Sequence, residues 1–492
     1  MPLIPLDIPA GFYRNGTDLE QSGRWRDGSL VRWRDGSLRP IGGWEERITS
    51  FSTDPIRGMH TWEDLGSTAW IAGGSASELI VSTASGITYD ITPATLTTGL
   101  VDAQVLTGFG NSFFGTGFFG QPRPNYGNYS EATTWSLDNW GEYLVACSPN
   151  DGRLLEWQLN TAADAAPIAN APVNNSGLIV TEERFLFALG AGGNPRKVQW
   201  SDREDNTTWS PLSTNEAGDI ELQTSGQIMQ GIRTRGQTLI ITDVDAHTAR
   251  YLGPPYVYGF ERVGTSCGAI SRKSASDVDI GVFWMGQRGF FRFDGNSVSE
   301  IPCDVHDYVF GDINPAQISK VWSFANGQFG EIWWFYPSAA SLEIDRYVAF
   351  DYKEGHWIIG ELSRTSGVQR GVFKYPLMAS IGANIYDHEI GFNVDSYNIF
   401  AETGPISIGA GDQVMRVTDL IPDELTQGDV GVTFKTRFHP NDTERTYGPY
   451  SPSNPTSVRF TGRQVRMRVD GVSPAAWRVG NMRIEAKAGG RR

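Results

Sequence analysis

Three cysteines in 492 residues, Cys147, Cys267 and Cys303, are too few and too widely spaced for a disulfide framework, and none forms a CxxC pair. They predict reduced, packed thiols in a chain made in a cytoplasm. No window approaches 18 consecutive apolar residues, which excludes a membrane-spanning helix. The opening Met1-Pro2-Leu3-Ile4-Pro5 lacks the basic start and long apolar stretch of a secretion signal. Net positive charge is missing too. A formal charge of −15 argues against a free-standing nucleic-acid binder, because such proteins gain affinity by neutralising phosphates. The six histidines show no HxH or HxxxH spacing, and only His306 lies near a cysteine, Cys303, which falls short of a zinc ligand set. No stretch sustains apolar residues at i, i+3, i+4 and i+7, so helices are not the main element.

What is present favours strands. The chain holds 57 glycines, 26 prolines and 16 Trp, 17 Tyr and 25 Phe; aromatics suit a pleated, half-buried surface and glycine suits tight turns. Aromatic-rich units return roughly every 30 to 45 residues between Arg57 and Phe400, the period of propeller blades. The clearest are Phe283-Trp284-Met285 with Phe290-Phe291-Arg292-Phe293, and Glu331-Ile332-Trp333-Trp334-Phe335-Tyr336. Units are expected near 57–92, 135–160, 178–201, 228–262, 267–301, 318–361 and 370–400. The expected fold is all-β, a β-propeller of six to eight blades over 51–400. An N-terminal arm, 1–50, precedes it, and a small basic β module, 401–492, follows. A pair of β-sandwiches or a solenoid are the structural alternatives.

The segments outside the rhythm draw the functional attention. Arg24-Trp25-Arg26-Asp27-Gly28-Ser29-Leu30 returns eight residues later as Arg32-Trp33-Arg34-Asp35-Gly36-Ser37-Leu38. Each copy reads as a short strand with an Asp-Gly turn, in a hairpin on the body or in an arm gripping a neighbour. A Gly/Phe tract at 108–124, with Phe113, Phe114, Phe118 and Phe119, is a liability in water and is expected to bury its rings. In Gln464–Val469, alternation puts Arg466 and Arg468 on one face and Val465, Met467 and Val469 on the other. Charge is uneven: residues 1–50 sum to zero and 431–492 to +8, leaving −23 for 51–430. The candidate subunit-interface residues are therefore Arg24, Trp25, Arg26, Arg32, Trp33, Arg34, Phe113, Phe114, Phe118, Phe119, Arg463, Arg466 and Arg468.

Catalytic motifs are matched only by letter. Gly115-x-Gly117-x-x-Gly120 runs into Pro122 and Pro124 where a dinucleotide fingerprint needs a helix. Gly264-x-Ser266-x-Gly268 is followed by what reads as another strand, so a blade junction is expected instead of a hydrolase nucleophile. Asp243-x-Asp245 reads as a turn rather than a calcium site. Trp200-Ser201-Asp202 with Trp209 has a partial likeness to the Asp-box of glycosidase propellers, but it occurs once. No catalytic residue, metal or cofactor is expected, and the chain is read as a non-enzyme.

Several short runs resemble the β-propeller tail proteins of short-tailed bacteriophages, known as nozzles, tail tubular protein B or packaged-DNA stabilisation proteins. They are Met1–Gly11, Tyr251-Leu252-Gly253-Pro254-Pro255, Trp284–Gly295 and Glu331–Ser338 with Asp345-Arg346-Tyr347-Val348. The likeness covers most of 1–400. It implies a structural virion protein forming a homohexameric ring next to the head–tail adaptor, with tail fibres as further candidate partners. DNA would pass non-specifically during ejection and be retained beforehand. An acidic wall suits that role, because it repels phosphate. The alternative is a carbohydrate- or receptor-binding propeller.

Overall fold

The aromatic runs form inner strands of successive four-stranded sheets, Phe283–Met285 and Glu331–Tyr336 in second strands and Phe290–Phe293 in a third. The computed structural model describes residues 3–108, 123–407, 413–425, 428–440, 442–453 and 455–490. Among these, seven antiparallel sheets follow one another as blades. Their first strands are Gly58–Glu63, Ser136–Trp140, Gly177–Val180, Ile228–Thr234, Ala275–Val278, Trp322–Asn326 and Ser366–Val368. Each first strand adjoins the next, and Ser366–Val368 adjoins Gly58–Glu63, so the first strands line an axis and the ring is closed. The second strands lie between neighbouring strands, with both faces covered. Gln237–Thr242 and Glu331–Tyr336 are buried at every position, which is why they read as continuous apolar or aromatic runs rather than alternating ones. Separate apolar clusters fill the seams: Trp62, Trp70 and Trp157 between blades 1 and 2, and Ile48, Phe51, Ile71 and Leu377 between blades 7 and 1.

Blade 7 is completed from the other end of the chain. Its first three strands, Ser366–Val368, Leu377–Ala379 and Ile385–His388, are joined at the outer edge by Trp44–Ile48. Ile48 pairs with Ile385 and Trp44 with His388. The segment expected to be an arm therefore supplies a propeller strand.

The C-terminal module is a two-sheet β-sandwich, and the N-terminus supplies an edge to each sheet. One sheet runs Leu3–Pro5, Arg483–Ala488, Met415–Ile421, Thr456–Gly462. The other runs Trp25–Ser29, Phe400–Thr403, Gln464–Gly471, Val430–Arg437, Arg445–Tyr450. Val417, Leu420, Phe434, Phe460, Met467, Val469 and Ile484 are buried in one cluster, which continues into blades 5 to 7. Alternation along Gln464–Gly471 falls as the sequence predicts: Val465, Met467 and Val469 are buried and Arg466 and Arg468 are half-buried on the other face.

The twin heptapeptides fold differently. In the second copy, Val31–Arg34 and Ser37–Pro40 form a hairpin around Asp35 (φ 52°) and Gly36 (φ 73°), the left-handed pair of a tight two-residue turn. In the first copy the expected Asp-Gly turn is absent. Asp27 and Gly28 stay within Trp25–Ser29 and pair with Glu402 and Ala401 past a bulge. Gly28 is needed there for space: a Cβ would sit 2.7 Å from the Phe400 carbonyl oxygen and closer still to the Phe12 ring.

Candidate functional site

Two polar constructions stand out: a charged seam joining the arm to the module, and the lining of the propeller axis.

The seam centres on Asp18. Its carboxylate accepts from Arg26 Nη1 at 2.6 Å, from Arg466 Nη2 at 2.6 Å and, more tightly, from Arg437 Nη2. Burial works to raise the Asp18 pKa, but Arg437, Arg466 and Arg26 outweigh it and hold the group below the usual carboxylate range. Beside it, Glu402 accepts from Lys435 Nζ at 2.6 Å and lies 3.8 Å from both Arg466 and Arg468. Arg468 also pairs with Asp470 at 2.8 Å and lies 3.8 Å over the Phe400 ring. Asp18 comes from the arm and Glu402 from the first strand after the propeller, so a basic strand is neutralised by acids distant in sequence.

Arg32 is the most deeply committed of the expected interface residues. Its guanidinium contacts Glu331 at 2.9 Å and Glu389 at 2.5 Å, and lies 3.7 Å over the Phe329 ring. Its side chain is 3% exposed and that of Glu331 is fully buried. Burial alone lowers the Arg32 pKa, but the two carboxylates more than offset it. Trp25 and Trp33 are buried as well, with Trp33 edge-on to Phe12 at 4.9 Å. Arg34 donates to the carbonyls of Phe329 and Gln328, and Arg24 lies 3.6 Å from Asp304. Arg463 is half-buried between Thr456–Gly462 and Gln464–Gly471. The structure thus brings Arg26, Arg466 and Arg468 together and uses Trp25, Arg32 and Trp33 inside the chain. Phe113, Phe114, Phe118 and Phe119 lie outside the described residues, as does Gly115–Gly120; the flanking strands Gln104–Gly108 and Arg123–Ser130 pair antiparallel.

Along the axis, His60, Asp138, Ile179, Gln230, Arg233 and Lys273 line a cavity of about 320 Å³. Asp138 accepts from Arg233 Nη2 and from the Val180 amide, each at 2.9 Å. His60 makes a short hydrogen bond to Asn139 Oδ1, and burial pushes its pKa down. Burial also pushes Lys273 down to about 8, partly countered by Asp138. Asp277, though exposed, is pushed up to about 6 by partial desolvation of its carboxyl, with Arg235 opposing. A space this small and polar suits water, ions or a small polar molecule. It does not suit a duplex, whose major groove alone is about 12 Å wide.

The letter-matched motifs resolve into turns. Ser266 sits at φ 56° just after Val257–Thr265, where the chain crosses to blade 5, with no helix following. Asp245 is buried among Thr224, Thr242 and His247, and Asp243 Oδ1 accepts from the Gln227 amide. Asp205, between Asp202 and Trp209, caps its own loop through Thr207 and Thr208. All three thiols are free, and burial raises each, Cys147 and Cys303 to about 12 and Cys267 to about 11.

The architecture is similar to that of known propellers. A virginiamycin B lyase from Staphylococcus aureus aligns at 7% identity over 70% of this chain and 98% of its own, with a TM-score of 0.43. PorZ, a surface component of the type-IX secretion system of Porphyromonas gingivalis, aligns at 6% identity over 85% of this chain and 46% of its own, with a TM-score of 0.38. The computationally designed Ika8 protein aligns at 10% identity over 70% of this chain and 99% of its own, with a TM-score of 0.35. Likenesses this distant carry no argument, and the fold rests on the sheets themselves. No protein-family model matches the sequence, and no curated protein matches it.

Proposed function

We propose that this chain is a structural subunit of a short-tailed bacteriophage tail, a nozzle protein that assembles with copies of itself into a ring along the DNA ejection path and helps retain packaged DNA. The observation that carries the reading is a basic sheet face on an acidic protein. On the sandwich sheet ending in Thr456–Gly462, Arg416, Arg459, Arg483 and Lys487 are all exposed. Arg416 lies directly across from Lys487 and from Thr461, two residues beyond Arg459, so these side chains share one face, which also carries the half-buried Asp419 and Glu485 and stays net positive. Residues 51–430 carry −23, so a second copy offers the complementary surface. The short runs that resemble tail nozzles add to this. A further contact element is the long outer hairpin of blade 4, Asp245–Gly253 and Val257–Thr265, with Leu252 59% and Tyr256 78% exposed.

In this reading the propeller axis is not the conduit, because the cavity along it is too small for a duplex. DNA runs through the centre of the ring, past outer surfaces of the subunits. Acidic surfaces let phosphate slide without capture.

The test is assembly. Native mass spectrometry of the full chain with the head–tail adaptor is expected to give a ring of about six copies, by symmetric closure. Reversing the basic face (R416E/R459E/R483E/K487E) is expected to abolish the ring while leaving the melting temperature of the monomer within about 2 °C, since exposed charges contribute little to stability. A chain that stays monomeric with its adaptor, or one that retains glycans as a monomer, would overturn the proposal in favour of a carbohydrate- or receptor-binding propeller.

A further inference from the structure

Across the end of blade 6, three residues stand in one row. Glu331 pairs with Asp351 and Asp351 pairs with His356, so their side chains share a face of the sheet. Glu331 is taken by Arg32. The other two are not so provided for. Asp351 is completely buried; its Oδ1 accepts from the Lys353 and Glu354 amides at 2.8 Å, and its Oδ2 has no hydrogen-bond partner. His356 is 6% exposed; its Nδ1 lies 4.0 Å from Glu354 Oε2, and its Nε2 is buried without a partner. A buried carboxylate oxygen and a buried ring nitrogen, both left unsatisfied on adjacent strands, are costly unless something binds them.

Glu354 completes the group from the turn between those strands. One potential ligand atom from each of Asp351, Glu354 and His356 lies within 4.8 Å of the others. Neighbouring ligand atoms of one tetrahedral ion at about 2.0–2.2 Å lie about 3.3–3.6 Å apart, so atoms at the 4.8 Å limit must close by about 1.2–1.5 Å. Glu354, the most exposed of the three, is placed to move inward through Oε2 while Oε1 stays with the Asp35 amide.

We propose that Asp351, Glu354 and His356 bind one divalent transition-metal ion, with Zn²⁺ the best match. An imidazole beside two carboxylates is a nitrogen–oxygen donor set suited to Zn²⁺, whereas Ca²⁺ and Mg²⁺ prefer all-oxygen shells. The ion would be structural. His356 packs edge-on to Trp33 at 5.7 Å, and a Cβ on Gly11 would lie 2.5 Å from the His356 Cβ. Glu354 Oε1 accepts from the Asp35 amide at the hairpin tip. An ion that fixes His356 and Glu354 therefore fixes the surfaces on which the N-terminal arm rests. This site does not depend on the tail reading.

Calorimetric titration of Zn²⁺ into the full, chelator-treated chain is expected to show one equivalent bound, with a rise in melting temperature. Co²⁺ at the same site should give visible d–d bands. E354Q and H356Q are expected to weaken binding at least tenfold, and H439Q, at an exposed histidine remote in sequence, to leave it unchanged. E354Q alters a rim residue, so its folding, checked by circular dichroism, separates lost binding from lost structure. No stoichiometric binding of Zn²⁺, Co²⁺ or Mn²⁺ to the folded chain, or undiminished binding in folded E354Q, overturns the proposal.

Discussion

At the scale of single residues, the molecule keeps charge inside and balances most of it over long sequence distances. Arg32 serves Glu331 and Glu389, and Asp18 serves Arg26, Arg437 and Arg466. Removing one partner of a fully buried pair such as Arg32 with Glu331 typically costs about 3–5 kcal/mol, because the other charge is left uncompensated. Lys273 is the exception on the propeller axis, where only Asp138 opposes burial. Its pKa falls from the ordinary 10.5 to about 8, so between these values the unfolded chain binds a proton that the folded chain does not. Stability from this group therefore rises with pH across that window and is lowest below about pH 8, where holding the charge is a cost. K273M is expected to be more stable than the wild type at pH 7, by a margin that shrinks towards pH 10. Urea denaturation of both proteins at pH 7, 8, 9 and 10 checks this, and a constant margin would count against it. None of these pairings was legible in the sequence. Asp18 and Arg466 carry no local mark of each other, and a strand with two arginines on one face reads equally well as an outward-facing surface.

At the scale of elements, the twin heptapeptides show how far local sequence determines conformation. The same Asp-Gly forms a turn at 35–36 and stays extended at 27–28. Asp35-Gly36 is flanked by two strands that pair with each other, whereas Asp27-Gly28 is claimed by Phe400–Thr403. Tertiary pairing overrides a turn signal of about one kcal/mol. Alanine substitutions should separate the two roles. G36A meets nothing within 4 Å but keeps φ at 73°, so a loss of about 1 kcal/mol is expected. G28A collides with the Phe400 carbonyl and the Phe12 ring, and the expected loss is about 2–3 kcal/mol or more. Equal losses in guanidinium denaturation would show that the close approach at Gly28 relaxes freely. The blades themselves were largely legible, because a second strand covered on both faces must be apolar throughout, as Glu331–Tyr336 illustrates. Unit limits at 57–92 and 318–361 correspond to blades beginning at Gly58 and Trp322.

At the scale of the whole molecule, the N-terminal 50 residues complete three sheets: both sheets of the sandwich and blade 7. That role was not legible. Trp44-Glu45-Glu46-Arg47-Ile48 has no feature announcing a partner at Ile385–His388, and the last unit was read as 370–400 when its own strands span Ser366 to His388. Deleting residues 3–48 is expected to leave a chain that binds a hydrophobic dye and loses near-ultraviolet aromatic dichroism. A truncated chain that melts cooperatively with its aromatic signal intact would show the closing strand to be dispensable.

The same closing strand sets a clock. Trp44–Ile48 leaves the ribosome about 340 residues before Ile385, and at roughly 5–20 residues per second it waits roughly 20–70 s for its partner. Leu3–Pro5 waits longer still, for Arg483–Glu485. Throughout synthesis the blades accumulate as an open arc with unpaired edges at both ends. Its earliest residues are among the last to find their places, so a complete ring exists only once the chain has been made past His388.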